Sequence, residues 1–229
     1  MADGPLASVG VAVFVKTPGH SPIKTRLAAG IGDPAAAECY EHALAVVGEV
    51  VTTAAQRVPG LVPYWAVAEP AGESDPRWAG FERIPQGEGA LGERLDRVYR
   101  AVRARHGAAL LLGADCPLLS PDDLAAAAGT LARGEAFVIG RATDGGYYLF
   151  GGRRAIDRGI WLAVPYSSPE TADRFVAALG RRVAELPVLP DLDIAADLSA
   201  QAYHPRGREG GLLPSQRAML GWLADRGID

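Results

Sequence analysis

A short basic segment follows the first apolar stretch of the chain. In FVKTPGHSPIKTRLAAG (residues 14–30), Lys16 comes directly after the apolar run. Lys24, Thr25 and Arg26 follow a few positions later. Cationic side chains and free backbone amides together suit a phosphate group. The segment lacks the GxxxxGK[ST] pattern of a Walker A loop. It is therefore a candidate phosphate-binding loop, and a solvated basic turn is the alternative.

An aspartate follows the most apolar run of the chain, in LLLGADCPLLSPDD (residues 110–123). An ionised carboxylate at the end of a buried strand is unfavourable unless it is paired or bound to a cation. Mg²⁺ takes one or two carboxylates together with the phosphate oxygens of a substrate. Asp115 is therefore a candidate metal ligand, and the alternative is that it caps the turn at Cys116 and Pro117.

Two further acidic segments follow predicted strands. In RATDGGYYLF, Asp144 precedes two glycines, which indicates a hairpin turn, a functional loop that a ligand approaches closely, or both. In LPDLDIAADLSA, Asp191, Asp193 and Asp197 follow a strand. Asp193 is a candidate second metal ligand, with helix capping by the cluster as the alternative. No GxSxG elbow is present for a serine nucleophile.

Apolar runs typical of strands alternate with helical stretches along the chain. Strands are predicted at residues 9–15, 61–68, 81–86, 108–115, 135–140, 146–152 and 181–189. Helices are predicted at residues 33–57, 90–106, 120–134, 168–180 and 215–227. Pro63 indicates an edge position or an irregular start for the second strand. Strands separated by helices imply crossover connections, so the fold is predicted as α/β, a three-layer α/β/α sandwich with a largely parallel sheet.

The composition is that of an ordinary globular protein and disfavours several classes of partner. The chain has 229 residues, is 48% hydrophobic and 22% charged, and carries a net charge of -4. With no long basic run, nucleic acid is disfavoured as a partner. Every apolar run is interrupted by Gly, Pro or charge, so no membrane span is predicted. The 2 cysteines lack metal-ligand spacing and the start lacks a secretory signal, so we expect reduced thiols in the cytoplasm.

Several of these motifs occur in one order over roughly residues 9–200. They are VFVKTPGHSPIKTRLA, ALGERL, LLLGADCPLLSPDDL, GRATDGGYYLFGG and PYSSPETADRF. Their combination resembles a bacterial family of candidate glycosyltransferases in the nucleotide-diphospho-sugar transferase (GT-A) superfamily. It is more distantly similar to the deazaflavin-cofactor and molybdenum-cofactor guanylyltransferases. The resemblance implies a Rossmann-like, mostly parallel mixed sheet with one antiparallel strand.

The resemblance also implies roles for individual residues. The implied nucleotide-binding residues are Lys16, Thr17, Gly19, Lys24, Thr25, Arg26, Gln86 and Gly92. The implied acceptor-facing residues are Asp144, Gly145, Gly146, Tyr147, Tyr166 and Ser167. Asp115 and Asp193 match positions that hold Mg²⁺ or Mn²⁺, and the implied catalytic residues are Lys24, Arg26, Asp115 and Asp144. Because DCP replaces the usual DxD, a second carboxylate or a phosphate must complete the metal site. Many relatives carry glycine at Ser21, so Gly19 is expected to provide the backbone freedom.

Three segments are predicted along the chain. Residues 1–8 form a flexible leader, and residues 9–202 form a single nucleotide-binding transferase domain. Residues 203–229 form a loop rich in Gly, Pro and Arg and a helix. That helix is expected to dock on the domain or on another subunit, the second arrangement being a homodimer.

The implied activity is metal-dependent transfer from an activated nucleotide to a small acceptor. In glycosyl transfer, which the family favours, an acceptor hydroxyl attacks the sugar carbon with Asp144 as the candidate base. In nucleotidyl transfer, which the basic loop favours, an acceptor phosphate attacks the α-phosphate and releases pyrophosphate. A nucleotide-binding protein without turnover is the third possibility, because a fold does not fix a function.

Overall fold

A seven-stranded sheet forms the centre of the protein in the computed structural model, which describes residues 8–198 and 211–226. The strands are β1 (Ser8–Val15), β2 (Leu61–Val67), β3 (Glu82–Pro85), β4 (Gly107–Gly113), β5 (Phe137–Arg141), β6 (Tyr147–Gly152) and β7 (Ala184–Glu185). Their order across the sheet is β3-β2-β1-β4-β6-β5-β7. Neighbouring strands are parallel except at β6, which runs antiparallel to β4 and to β5. The predicted mixed, mostly parallel sheet is confirmed.

Helices cover both faces of this sheet. They are α1 (Thr25–Ile31), α2 (Asp33–Arg57), α3 (Leu91–His106), α4 (Pro121–Ala132), α5 (Arg158–Ala163), α6 (Thr171–Leu179) and α7 (Pro214–Ala224). Along β1, Val11 and Val13 pack into the core beneath α2, α4 and α7, whereas Ala12 packs into the core beneath α3, α5 and α6. The strand is buried on both faces, as its unbroken apolar sequence indicates. The three-layer α/β/α sandwich is therefore confirmed.

Local sequence explains where α4 begins. The backbone N–H of Ser120 donates to Asp123 Oδ2 (2.8 Å), and the N–H of Asp123 donates to Ser120 Oγ (3.3 Å). This reciprocal capping box, with Pro121 in the first turn, satisfies amides that an α-helix leaves free at its start. Among the described residues, no helix is both long enough and apolar enough to cross a membrane.

The strand β2 lies between β3 and β1, so it is not an edge strand of the sheet, but its first residues, including Pro63, have a neighbouring strand on one side only. The register explains how the sheet accepts a proline there. Pro63 lies opposite Val11 on β1, but β3 pairs only with the later part of β2, from Tyr64 onwards. Pro63 therefore has no β3 residue opposite it, and the N–H that proline lacks is not needed for that pairing.

The predicted last strand is much shorter in the structure, and two short helices, α1 and α5, were not predicted. Of residues 181–189, only the two residues of β7 form a strand. Pro187 and Pro190 have no N–H to donate to a neighbouring strand, which limits regular pairing. The chain still runs beside β5, and Leu189 forms an isolated bridge with Ala142.

The C-terminal helix α7 packs on its own chain, against α2 and against the loop that follows β4. The buried side chain of Gln216 donates from its amide nitrogen to Pro117 O (2.9 Å) and Leu119 O (3.0 Å). The N–H of Ser215 donates to Glu49 Oε2 on α2 (2.8 Å). The predicted leader, apart from Ser8, and most of the predicted loop before α7 lie outside the described residues.

The imidazole of His106 joins the end of α3 to the sheet. Its Nδ1 lies 2.7 Å from Ser8 Oγ, and its Nε2 lies 2.7 Å from the Tyr64 hydroxyl oxygen. Burial lowers the pKa of His106, the neighbouring Arg105 lowers it further, and Glu82 opposes both. A neutral imidazole has one donor and one acceptor nitrogen, so it matches the two hydroxyl groups.

We expect His106 to stabilise the fold less as the pH falls. Because its folded-state pKa is lowered, the unfolded chain binds more protons between the unfolded pKa and the folded pKa. The contribution is therefore fully present above the unfolded pKa and is lost as the pH falls through the folded pKa. Chemical denaturation of the parent and of His106→Gln at about pH 7.5 and about pH 5.5 tests this. The difference in unfolding free energy between them should shrink at the lower pH, and a constant difference would contradict the expectation.

Candidate functional site

A cleft of about 720 Å³ opens at the carboxyl ends of β1 and β4. Residues 14–16 and 111–116, at and beyond the ends of these two strands, form part of its lining. The order of the sheet reverses here, since β2 lies on one side of β1 and β4 lies on the other. In open α/β sheets, ligands bind beyond the carboxyl ends of the strands at such a reversal.

The predicted phosphate-binding side chains reach this cleft. Lys16, Lys24, Thr25 and Arg26 all line it. The side chain of Lys24 is only 5% exposed, and its Nζ lies 2.6 Å from Asp115 Oδ1. The same ammonium group donates to the carbonyl oxygen of Leu192. Lys24 therefore links the basic loop to the loop after β4 and to the segment near residue 192.

The shape of the basic loop follows from a turn and from a tyrosine on α2. The N–H of His20 donates to Thr17 O (3.0 Å), and Gly19 between them has φ 86°. Proline followed by glycine with positive φ is typical of a type II turn, so Gly19 provides the backbone freedom and Ser21 does not. The Tyr40 hydroxyl donates to the carbonyl of Lys16 (3.0 Å) and accepts from its N–H (2.9 Å).

The two predicted metal ligands also line the cleft. Asp115 lies two residues beyond the end of β4, and its carboxylate is 52% exposed, so it is not the buried strand end that was expected. Asp193 forms an ion pair with Arg26. The N–H of Leu192 donates to Asp115 O (2.9 Å), which ties the two acidic loops together.

The carboxylates of the cleft are few for a metal site made of protein ligands alone. Within residues 8–198 and 211–226, no three His, Cys, Asp or Glu side chains form a group that could hold a metal. Mg²⁺ commonly uses one or two carboxylates and completes its shell with phosphate oxygens and water. Asp115 and Asp193 therefore fit a metal that is held jointly with a phosphate ligand.

Asp191 also lines the cleft, although it was not predicted as a ligand. Burial raises the pKa of Asp191 to about 6, and the nearby carboxylate of Asp144 contributes to the increase. Thr143 Oγ1 lies 3.5 Å from Asp191 Oδ1. The cluster of aspartates in DLDIAAD indicated this site in the sequence. Only the fold shows that Asp191 approaches Asp144.

The β5–β6 turn and the loop before α6 also line the cleft. Asp144, Gly146, Tyr147, Tyr166 and Ser167 belong to this lining. The turn joins two antiparallel strands, so the hairpin interpretation is correct, and the same turn faces the cleft. Asp144 Oδ1 accepts a hydrogen bond from the N–H of Gly146 (2.7 Å), which fixes the carboxylate within its own turn.

Thr17 and Gly19 are not part of the cleft lining, although they were predicted to bind nucleotide. Thr17 is buried, its N–H donates to Glu69 Oε2 (2.7 Å), and its hydroxyl lies 3.3 Å from Trp78 Nε1. A Cβ atom added to Gly19 would have no neighbouring atom within 4 Å. Both residues therefore shape the loop.

Gly92 and Gly145 also do not line the cleft. A Cβ on Gly92 would come within 2.4 Å of the carbonyl oxygen of Trp161, so glycine allows α3 to approach α5. A Cβ on Gly145 would come within 2.0 Å of the carbonyl oxygen of Pro169. These glycines bring together the elements that carry the cleft residues.

Gln86 lines the cleft and also ties two strands together. Its amide nitrogen donates to Val15 O (3.2 Å) and to Ala66 O (2.8 Å). Leu91 and Arg94, on the first turn of α3, line the cleft as well but were not predicted. They lie in the segment ALGERL, where the sequence alone does not show which residues face the cleft.

Backbone strain is concentrated at this site. Among non-glycine residues of the described part of the chain, only Lys24 (φ 50°) and Ser167 (φ 59°) have positive φ. Both line the cleft. Left-handed backbone at non-glycine residues is unfavourable and persists where the surrounding structure fixes it, often at functional sites.

Replacing Ser167 with glycine should stabilise the protein, because glycine adopts positive φ without a clash at Cβ. We expect a gain of about 1 kcal/mol in unfolding free energy and a rise of about 3 °C in melting temperature. Ser168→Gly is the control, since Ser168 Oγ accepts a hydrogen bond from the N–H of Glu170 (3.2 Å). The control should lower the melting temperature. Equal effects of the two substitutions would show that strain at Ser167 is not the cause.

Comparison with solved structures shows the same fold in other bacterial proteins. A candidate nucleotide-diphospho-sugar transferase of Desulfovibrio desulfuricans G20 is 23% identical, with a TM-score of 0.79 over 96% of this chain and 98% of that chain. Rv0371c of Mycobacterium tuberculosis H37Rv is 15% identical, with a TM-score of 0.51 over 84% of this chain and 95% of that chain. Its complex with manganese is 14% identical, with a TM-score of 0.50 over 94% of this chain and 99% of that chain.

Family membership follows from the sequence itself. No curated protein is similar enough in sequence to this chain to count as a match. The model of one family, described as "Uncharacterized protein conserved in bacteria (DUF2064)", matches residues 37–168, which is more than half of the chain. The chain belongs to this family, and it shares its fold with the candidate transferase of Desulfovibrio desulfuricans G20.

Proposed function

We propose that the protein is a divalent-metal-dependent transferase that acts on an activated nucleotide and a small-molecule acceptor. One observation carries the proposal. Lys16, Lys24 and Arg26 of the basic loop line the same cleft as Asp115 and Asp193, which belong to two other loops. Cations complement the phosphates of a nucleotide, and carboxylates complement a metal ion bound to those phosphates.

The fold and its relatives support this proposal. The cleft lies where the sheet order reverses, the usual ligand position in open α/β sheets. A protein of the same fold is a candidate nucleotide-diphospho-sugar transferase. Another, Rv0371c, has been crystallised with manganese. We infer Mg²⁺ or Mn²⁺ for this chain, because its donor set is composed of carboxylate oxygens.

The charged residues of the cleft have separate roles in this proposal. Lys16, Lys24 and Arg26 bind the phosphates and neutralise charge that develops on the leaving or transferred group. Asp115 and Asp193 are the residues that would hold the metal. A bound divalent cation supplies Lewis-acid neutralisation of phosphate oxygens. Positioning and electrostatics therefore provide most of the catalysis that such transfers require.

We propose a sugar as the transferred group, with nucleotidyl transfer as the second candidate. For glycosyl transfer, Asp144 is the carboxylate on the acceptor side of the cleft that can accept a proton from an acceptor hydroxyl. For nucleotidyl transfer, the supporting observation is that Arg94 adds a further cation to the lining of the cleft, which suits a triphosphate. Binding without turnover is the remaining alternative.

The proposed transferase domain is residues 9–202, and the proposed role of α7 is to support it. Gln216 on α7 holds the carbonyl groups of Pro117 and Leu119, close in sequence to Asp115. The C-terminal segment would therefore contribute to the position of a metal ligand without contacting the substrate.

Calorimetric titration with nucleoside triphosphates and nucleotide sugars, with and without Mn²⁺, tests the proposed function. Release of pyrophosphate and of nucleoside diphosphate is then measured with candidate acceptors. We expect binding that depends on the metal and release of nucleoside diphosphate. Release of pyrophosphate instead would favour nucleotidyl transfer. Tight binding with neither product would leave a nucleotide-binding protein without turnover.

Asp115→Asn should weaken binding of the metal–nucleotide complex at least tenfold, because substitutions around metal sites typically lower metal affinity by about 10–100-fold. Asp122→Asn is the matched control. Asp122 lies soon after Asp115 in sequence, in the first turn of α4, but it is exposed and pairs with Arg57 at 3.5 Å. The control should bind the complex as the parent does. Equal binding by parent and Asp115→Asn would exclude Asp115 as a metal ligand.

A further inference from the structure

The phosphate-binding cations and the metal-binding carboxylates of the cleft are paired with each other. Lys24 Nζ lies 2.6 Å from Asp115 Oδ1, and the Arg26 guanidinium contacts the carboxylate of Asp193. Each proposed metal ligand is therefore neutralised by a proposed phosphate ligand. A divalent cation that approached these carboxylates would meet an ammonium group and a guanidinium group at short range.

Lys24 is held in this arrangement more firmly than Arg26. Its side chain is 5% exposed, whereas that of Arg26 is 64% exposed. The ammonium group of Lys24 also donates to the carbonyl of Leu192, and its backbone is fixed at φ 50° at the start of α1. Moving Lys24 away from Asp115 would leave a largely buried cation without a counter-charge, which is unfavourable unless another anion replaces the carboxylate.

Lys16 and Arg94 provide a contrast within the same cleft. The ammonium group of Lys16 donates to Pro22 O (3.2 Å), and Arg94 Nε donates to Gly89 O (2.9 Å). Neither side chain forms an ion pair with another residue of the described ranges. These two cations are available to a phosphate without breaking an ion pair.

We propose that the cleft binds a divalent cation and a di- or triphosphate together, as one chelate, and that Lys24 and Arg26 exchange partners when it binds. On binding, the two carboxylates turn to the cation, and Lys24 and Arg26 turn to the phosphate oxygens. This inference rests on the proposed function and deepens it. The ligand that it names is the metal–phosphate complex, which the cleft should bind more tightly than the free metal ion.

Charge balance supports the exchange. Before binding, Lys24 neutralises Asp115 and Arg26 neutralises Asp193. In a diphosphate chelate, the divalent cation neutralises the negative charges of the phosphoryl groups. After the exchange, the carboxylates face the metal and the loop cations face the phosphates, so every charge again has a counter-charge. A bare metal ion would leave Lys24 and Arg26 unpaired, and bare phosphate would leave the carboxylates unpaired.

The test measures metal binding and chelate binding separately. Electron paramagnetic resonance follows binding of Mn²⁺ alone, and calorimetry follows binding of premixed Mn²⁺–pyrophosphate. In Lys24→Met, the affinity for Mn²⁺ alone should rise about tenfold, because Asp115 loses its competing partner, and the affinity for the chelate should fall about tenfold. Lys16→Met is the matched control: the chelate affinity should fall, and the affinity for Mn²⁺ alone should stay as in the parent.

Arg26→Met provides a second variant in case Lys24→Met is unstable, since Arg26 is exposed and Asp193 is its partner. As in Lys24→Met, the affinity for Mn²⁺ alone should rise and the affinity for the chelate should fall. Unchanged or weaker binding of Mn²⁺ alone in both variants would overturn the exchange and leave the proposed function standing. A parent that binds neither the chelate nor any metal–nucleotide complex would overturn the proposed function itself.

Discussion

The contact between Lys24 and Asp115 is the interaction on which the candidate site depends. The Lys24 side chain is almost entirely buried, so its charge requires a partner, and Asp115 provides one at 2.6 Å. The same ammonium group binds the carbonyl of Leu192, and the N–H of Leu192 binds Asp115 O. Three loops that are distant in sequence are thus joined at one charged group, and Asp193 is placed beside them.

The rest of the fold supplies the positions that this contact requires. The parallel strands β1 and β4 end at the same edge of the sheet, which brings the basic loop and the Asp115 loop together. Tyr40 on α2 fixes the beginning of the basic loop, and Gln216 on α7 fixes the loop that follows Asp115. The helices α2 and α7 pack in the same core and also hold loops of the cleft, so stability and site geometry depend on the same packing.

The sequence predicted the layers, most elements and most charged residues of the cleft, because these follow from local patterns. Apolar runs without alternation indicated buried parallel strands, and Ser120 with Asp123 indicated the start of α4. The errors concern long-range geometry. The position of Pro63 depends on how far β3 extends, and the contributions of Arg94 and Asp191 depend on which elements meet at the cleft. Thr17 and Gly92 were assigned to a ligand, but they lie where a loop and two helices pack.

The strained backbone at Lys24 and Ser167 adds a further constraint. A sequence under selection for stability alone would place glycine at positive φ, as this chain does at Gly19 and Gly145. At Lys24 the strain is offset by the ion pair with Asp115 and the hydrogen bond to Leu192, and only a long cationic side chain makes both contacts. At Ser167, no contact of the hydroxyl with the described residues offsets the strain, and the residue lines the cleft. The strain at Lys24 is therefore explained by contacts of its own side chain, whereas the strain at Ser167 is not, which makes Ser167 the stronger indication of a functional constraint.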